Sequence, residues 1–487
     1  MNTIIVNTKV LGFDYDIHSL VKAFYHDADV KVINDDTNVS SSDGMPDVFI
    51  TQEENNLFFT IVLNDKNQVK KTILDNEDRT YVKNALKQLI YVSLSEFNNI
   101  SLPWGTLTGI RPTKIARTLL DEGANEDDIS SYMKDVYLLS DEKLKLSIDI
   151  AKREKALLDT LHVDNGYSLY IGIPFCPTTC LYCSFTSYPI CSYEKMVSDY
   201  LDALSKELDY VKEEFKDKIL DTVYIGGGTP TTLKADELDI LLNKITSNFK
   251  MDNVLEFTVE AGRADSITID KLKVLKKYNV NRISVNPQTM NQKTLDMIGR
   301  RHTVDDVIRA YNDAKALGFE NINMDIILGL PGEDVDEVNH TISEIKKLNP
   351  DSLTVHSLAI KRASKLAQWI QTNGITALNN TDETMKIASM GASDMNMVPY
   401  YLYRQKNMSG NFENVGYSKE DKFGIYNILI MEEVQTIIAC GAGTVTKRVY
   451  PDGRIERCDN VKDVALYIDK IDEMIERKRN LFSTIEC

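Results

Sequence analysis

Between residues 166 and 360 six short apolar runs recur, at 168–173, 220–225, 254–259, 281–285, 321–327 and 351–356. Helical patterns at 193–215, 235–249, 304–317 and 335–348 fill the space between them. Strands alternating with helices must lie parallel, because each helix carries the chain back to the starting edge in a right-handed crossover. Six such units curl into a partial barrel, short of the eight that close one. The expected fold class is therefore α/β, a partial (β/α)6 TIM-like barrel. No glycine-rich linker interrupts it, so 161–360 is read as one domain.

The flanks follow other rhythms. Residues 1–160 read as an α+β extension ending in helices. Its strand-like runs are 3–6, 30–33, 47–50 and 57–63, each bounded by polar turns. A helix is expected over 79–98, with Val82, Leu86, Leu89, Ile90 and Leu94 on one face. Further helices are expected over 113–160, starting near Asn125 and Ser140. Residues 361–487 are mixed α/β and read as a region covering the substrate. They include a hairpin turning at Asp452-Gly453 and a closing helix over 461–478.

Charge and cysteine usage exclude some functions. The net charge of −17 argues against a general nucleic-acid binder and requires any anionic ligand to find a local cationic pocket. Seven cysteines, an odd number in a chain of 487 residues, do not form a disulfide framework and fit a reducing compartment. The amino terminus lacks a secretory pattern, and no apolar run reaches about 18 residues. A soluble cytoplasmic protein without a membrane span is expected.

Function in parallel barrels gathers at the carboxyl ends of the strands, and here each end carries something distinctive. The first run leads into Cys176, Cys180 and Cys183, spaced C-x3-C-x2-C. Three thiolates on one loop suit three corners of a [4Fe–4S] cluster and leave one iron open, where four cysteines are usual. Zinc and inert thiols are the alternatives, although structural zinc sites usually draw on two separated pairs and no second C-x2-C exists. Gly226-Gly227-Gly228-Thr229-Pro230 follows the second run. Glycines there let backbone groups approach a ligand closely, and the phosphate-loop ending is missing. Glu260, Gln288 and Asp325 stand at later strand ends. Each alone reads equally as a satisfied barrel-mouth side chain or as a hydrogen-bond partner of a bound cofactor, and their joint placement at one rim favours the second. His356 ends the sixth run and is given no role.

With these residues in place, the chain resembles the radical S-adenosylmethionine (SAM) enzymes, and among them the oxygen-independent coproporphyrinogen III oxidases. The matching segments are Tyr170 with Ile173-Pro174-Phe175-Cys176, the glycine run, residues 281–288 and residues 325–332. Residues 104–114 and 400–407 resemble the HemZ-type branch, whose extra amino-terminal region accounts for residues 1 to about 160. The resemblance implies a [4Fe–4S] cluster on Cys176, Cys180 and Cys183, with SAM on the open iron. It implies conversion of two propionates of coproporphyrinogen III to vinyls by a 5′-deoxyadenosyl radical, with loss of carbon dioxide and an electron at each. Tyr170, Gly227 and Glu260 match positions for this SAM, and Tyr182 is an aromatic beside the cluster. Gly228, Thr229, Gln288, Arg300 and Asp325 match positions for a second SAM, and Ala359 and Val445 match in a loosely aligned stretch. The implied partners are a tetrapyrrole substrate and a low-potential electron donor of the flavodoxin or ferredoxin type. Arg111, Lys114, Arg117, Arg404 and Lys406 are candidates for its carboxylates. The chain departs from the oxidase pattern at Phe185, where the oxidases have a fourth cysteine and the HemW-type haem chaperones have phenylalanine. It departs again at Gly172, where the oxidases have histidine.

Overall fold

A computed structural model describes residues 2–26, 28–34, 39–360, 364–374, 378–405 and 412–483. The chain divides into two compact units. One runs to Lys152 and takes in the segment beginning at Arg404. The other comprises Arg153–Tyr403 and resumes at Phe412.

The first unit is built on a five-stranded sheet of order β2-β1-β3-β4-β5. Its elements are β1 (Thr3–Thr8), α1 (Asp14–Phe24), β2 (Asp29–Ile33), β3 (Asp47–Glu53), β4 (Asn56–Leu63), β5 (Lys66–Ile73) and α2 (Arg79–Asn98). After them come α3 (Thr113–Asp121), α4 (Glu126–Tyr137) and α5 (Asp141–Leu158), the last crossing the division between units. Ile17, Leu20, Val21 and Phe24 of α1 and Leu86, Leu89, Ile90 and Leu94 of α2 share one core with Ile4, Ile50, Phe59 and Ile61 of the sheet. Helix α2 occupies the expected span. Its start is fixed by the Asp78 carboxylate, which accepts from Thr80 N at 2.9 Å and Tyr81 N at 3.0 Å. Neither α1 nor β5 was expected. β5 carries Lys66, Lys70 and Lys71 on the sheet edge and has no apolar alternation to betray it.

The six expected strands all form in the second unit: β6 (Gly166–Ile173), β9 (Ile219–Gly227), β10 (Glu256–Gly262), β11 (Arg282–Val285), β12 (Ile322–Leu328) and β13 (Ser352–Ser357). They pair in that order, every neighbour parallel. Two-residue bridges β7 (Phe175–Cys176) and β8 (Tyr188–Pro189) flank the cysteine loop. Helices α6 (Val197–Glu214), α7 (Ala235–Asn248), α8 (Ile269–Lys277), α9 (Gln292–Met297), α10 (Val304–Ala316) and α11 (Val335–Leu348) supply the crossovers. α8 and α9 are short and escaped the sequence reading.

Residues beyond 360 extend the same sheet at both edges. After α12 (Lys365–Asn373) and α13 (Asp382–Asp394) come β14 (Val398–Tyr403) and β15 (Asn414–Ser418), which pair antiparallel beside β13. After α14 (Ile425–Glu432), β16 (Thr436–Cys440) joins β6 as a seventh parallel strand. β17 (Val445–Val449) and β18 (Ile455–Asp459) form the expected hairpin, with Gly453 at φ +80° in the turn. The expected closing helix is two, α15 (Val464–Asp469) and α16 (Ile471–Ser483), separated at Lys470. Among the described residues no helix is long and apolar enough to cross a membrane.

Candidate functional site

The site lies within the second unit, at the carboxyl ends of the parallel strands. Strand register sets its levels. Tyr170 of β6 lies opposite Tyr224 of β9, and Ile173 lies opposite Gly227. Tyr224 lies opposite Thr258 of β10, and Glu260 lies opposite Ser284 of β11.

The cysteine loop leaves β6 and is held down along its length. Leu181 N donates to Ile298 O at 2.9 Å, Leu366 N donates to Leu181 O at 2.9 Å, and Cys183 N donates to Cys180 O at 3.2 Å. Leu181 and Tyr182 pack on the apolar cluster of Leu295, Ile298, Ile327 and Leu330. Cys176 and Cys180 are buried and Cys183 is half-buried. Burial pushes the Cys176 thiol up to about 11, although the Thr229 hydroxyl, 3.4 Å from its sulfur, opposes this. Cys183 has the Ser187 hydroxyl at 3.8 Å, and Cys180 has the Arg263 guanidinium at 3.6 Å. Among the described residues no three His, Cys, Asp or Glu side chains are gathered as one metal ion would gather them. Three cysteines on one loop suit a [4Fe–4S] cluster, in which each thiolate holds a different iron.

The glycine run sits against that loop. Gly227 has φ +106°, in the left-handed region that disfavours side chains. A Cβ on Gly228 would meet the Phe175 carbonyl carbon at 2.9 Å and the Ile173 oxygen at 3.0 Å. Gly228 N donates to Ile173 O at 2.8 Å and Thr229 N donates to Phe175 O at 2.7 Å, so the run lies directly on the backbone beside Cys176.

Glu260 accepts from the Tyr224 hydroxyl at 2.5 Å and from Gly227 N–H. Burial raises its carboxyl to about 7, the Asp325 charge adding to the shift and the two hydrogen bonds opposing it. The Tyr224 ring belongs to a stack with Tyr170 and Tyr426, whose centroids lie 6.0, 5.9 and 4.4 Å apart pairwise. Tyr426 reaches the stack because buried Glu256 holds the start of α14, accepting from Ile425 N at 2.5 Å, a favourable place for a carboxylate.

Gln288 has φ +67°, rare for a residue with a side chain, and is held there by bonds from Gln288 N to Asp325 O and from Ile327 N to Gln288 O, both 2.9 Å. Its buried amide oxygen has no partner, and neither have Asn286 Oδ1 and Ser284 Oγ nearby in sequence. Positive φ and unpartnered buried polar atoms thus coincide at this strand end. Asp325 accepts from Asn323 Nδ2 at 2.7 Å and has His356 Nε2 at 3.8 Å. Burial would raise its carboxyl, but nearby His356 together with the Asn323 and Thr354 bonds outweighs that and lowers it. Arg300, fully enclosed, donates to Asn286 O and reaches Tyr182 and Cys180.

The loop cysteines, Tyr170, Tyr182, Gly227, Gly228, Thr229, Glu260, Gln288, Arg300 and Asp325 are thus linked through shared contacts. Ala359 is half-buried just past β13, and Val445 is 38% exposed at the start of β17. Tyr224, Tyr426, Arg263 and Asp265 were not foreseen. Of the cationic candidates, Arg404 is buried, donates to Leu107 O at 2.6 Å and lies over the Trp104 ring, so it holds the 104–110 segment of its own unit. Arg117 pairs with Asp121 at 2.9 Å, Lys114 is exposed, Arg111 is half-buried, and Lys406 lies outside the described residues.

Both departures from the oxidase pattern have structural counterparts. A Cβ on Gly172 would press on the Thr444 methyl, so a side chain there requires Thr444 to move. Phe185 is 72% exposed.

The radical SAM superfamily profile matches residues 170–345. The chain is 41% identical over 432 residues to the oxygen-independent coproporphyrinogen-III oxidase-like protein HemZ of Bacillus subtilis (strain 168), covering 88% of this chain and 84% of that protein. It is 39% identical over 195 residues to the heme chaperone HemW of the same organism, covering 40% of this chain and 51% of HemW. Coproporphyrinogen III oxidase (HemN) from Escherichia coli, a radical SAM enzyme, shares the fold with a TM-score of 0.50 at 20% identity, over 66% of this chain and 72% of that one.

Proposed function

Because the chain belongs to the radical SAM family of the oxygen-independent coproporphyrinogen-III oxidase-like protein HemZ, we propose that it converts propionate side chains of coproporphyrinogen III to vinyls. The family works with a [4Fe–4S] cluster and SAM. When bound, they would supply the radical chemistry for removing hydrogen from a propionate β-carbon, and loss of carbon dioxide to leave a vinyl then requires one further electron to pass to a one-electron acceptor.

The observation that supports this reading is the convergence of the cysteine loop, the Gly227–Glu260 bond and the strained Gln288 at one strand-end rim. Cys176, Cys180 and Cys183 hold the cluster. Tyr170, Gly227 and Glu260 hold the first SAM, with Tyr224 fixing the direction in which Glu260 presents its second oxygen. Gly228, Thr229, Gln288, Arg300 and Asp325 serve a second SAM, and residues 361–487 cover the substrate. The half-buried Tyr170 and Tyr224 and the buried Tyr426 stack beside Glu260 and wall that side of the site. A flavodoxin or ferredoxin supplies electrons in the cytoplasm. The six described cysteines, all unpaired, suit that compartment.

A second reading, haem binding and transfer, draws support from Phe185 in place of the oxidase cysteine and from Gly172 in place of its histidine. One experiment separates them: oxygen-free incubation with coproporphyrinogen III, SAM and a strong reductant, with Cys180→Ala as control. Protoporphyrinogen IX formation that the control lacks supports the oxidase. Haem bound in stoichiometric amount without product rejects it.

A further inference from the structure

Arg263 has no role in the reading above, yet it is the charged side chain most committed to the cysteine loop. It follows Gly262 at the end of β10 and is 3% exposed. Its fork divides in two. Nε and Nη2 donate to the two oxygens of Asp265 at 3.0 and 2.6 Å. Nη1 donates to Thr178 Oγ1 at 2.8 Å, Thr178 O at 3.1 Å and Cys180 Sγ at 3.6 Å. Asp265 in turn has His302 Nδ1 at 3.7 Å. Burial would raise the Asp265 carboxyl, but His302 and Arg263 hold it well below the usual range, so the pair stays ionised. The two-bond pairing with Arg263 makes Asp265 its counter-charge.

The three sulfurs therefore differ. Cys176 and Cys183 face hydroxyls, whereas Cys180 faces two buried guanidiniums, that of Arg300 and that of Arg263, the latter's direction fixed by a carboxylate. Hydrogen bonds to cluster sulfurs and nearby charge set reduction potentials, because reduction adds one negative charge in a low-dielectric setting. A lysine would not serve, having no planar fork to bond Asp265 and the loop at once.

We propose that Arg263 is a positioning residue that holds a positive charge on Cys180 and raises the reduction potential of the cluster, with Asp265 limiting the rise. The inference rests on the cluster and is independent of the substrate. It therefore survives if porphyrinogen is not the substrate.

The test uses the full chain, reconstituted without oxygen and without SAM. Wild type, Arg263→Gln and Asp265→Asn are assayed for iron and sulfide, then titrated potentiometrically with the reduced cluster followed by electron paramagnetic resonance. Arg263→Gln is expected to lower the reduced-to-oxidised ratio at least tenfold at fixed potential, a fall of about 59 mV for one electron. Asp265→Asn is expected to shift the midpoint the other way. A purely structural role would move both variants alike or neither. The inference is overturned if Arg263→Gln keeps its cluster at the wild-type midpoint, or if both variants shift in the same direction. Should Arg263→Gln hold no iron, Asp265→Asn decides alone, and an unchanged or lowered midpoint overturns the inference. Wild type without sulfide-bridged iron would overturn the reading of the loop itself.

Discussion

Glu260 shows how one carboxylate can report on the site without any cofactor. Its carboxyl is raised from 4.5 to about 7, burial being the chief cause. Between those values the folded chain keeps a proton that the unfolded chain has released, so stability falls as pH rises through that window. The contribution is complete below about 4.5 and lost above about 7, at most about 3 kcal/mol at 1.36 kcal/mol per unit. Glu260→Gln removes the titration. Denaturant midpoints of the cluster-free chain from pH 4.5 to 8 should show the variant gaining on wild type as pH rises. Parallel curves would refute it. Gly228 is the steric counterpart. An added methyl meets the Phe175 and Ile173 backbone, which cannot yield as a flexible side chain would. Gly228→Ala is expected to cost about 1–3 kcal/mol as overpacking and to reduce iron per chain after reconstitution. Urea unfolding and iron analysis check both.

At the scale of elements, the parallel strands were legible because burial on both faces makes them near-continuous apolar runs. β5, edge-exposed and lysine-rich, offered no such signal, and α9, six residues long, is too short for a periodic one. Loop chemistry was legible where residue types are costly, as in three cysteines or a glycine triplet. Tyr224, Tyr426 and Arg263 were not, because their roles arise from β9, α14 and β10 meeting across long sequence separations. The same holds for the buried network on Glu207 of α6. Its carboxylate accepts from Lys478 Nζ and Tyr467 OH at 2.6 Å, and from Asn460 Nδ2 and Gly441 N at 2.8 Å. This network joins α6, α15, α16 and the turn after β16. Removing one partner of such a pair strands the other charge, and about 3–5 kcal/mol is the usual loss. Lys478→Met should therefore be severe, and Glu207→Gln with Lys478→Met should lose less than Lys478→Met alone. A urea double-mutant cycle measures the difference. Strict additivity would mean that the pair is not coupled.

For the whole molecule, the proposed substrate raises the question of how a chain of net charge −17 would take up a molecule with four carboxylates. Two electrostatic effects compete, general repulsion and local pairing with fixed cations. They differ in range. At 0.1 M salt the screening length is about 10 Å, so repulsion from distant surface charge is already largely suppressed. Pairs in contact lose strength more gradually, each contributing roughly 0.2–1 kcal/mol when exposed. Between 0.1 and 0.5 M salt the local pairs are thus the main term left to weaken. The KM for coproporphyrinogen III is expected to rise several-fold over that interval with kcat little changed, because the carboxylates remote from the reacting propionate bind equally in ground and transition states. Steady-state vinyl formation under anaerobic conditions measures both constants. A KM that falls as salt rises would mean that repulsion still governs encounter and that no cationic pocket receives the propionates.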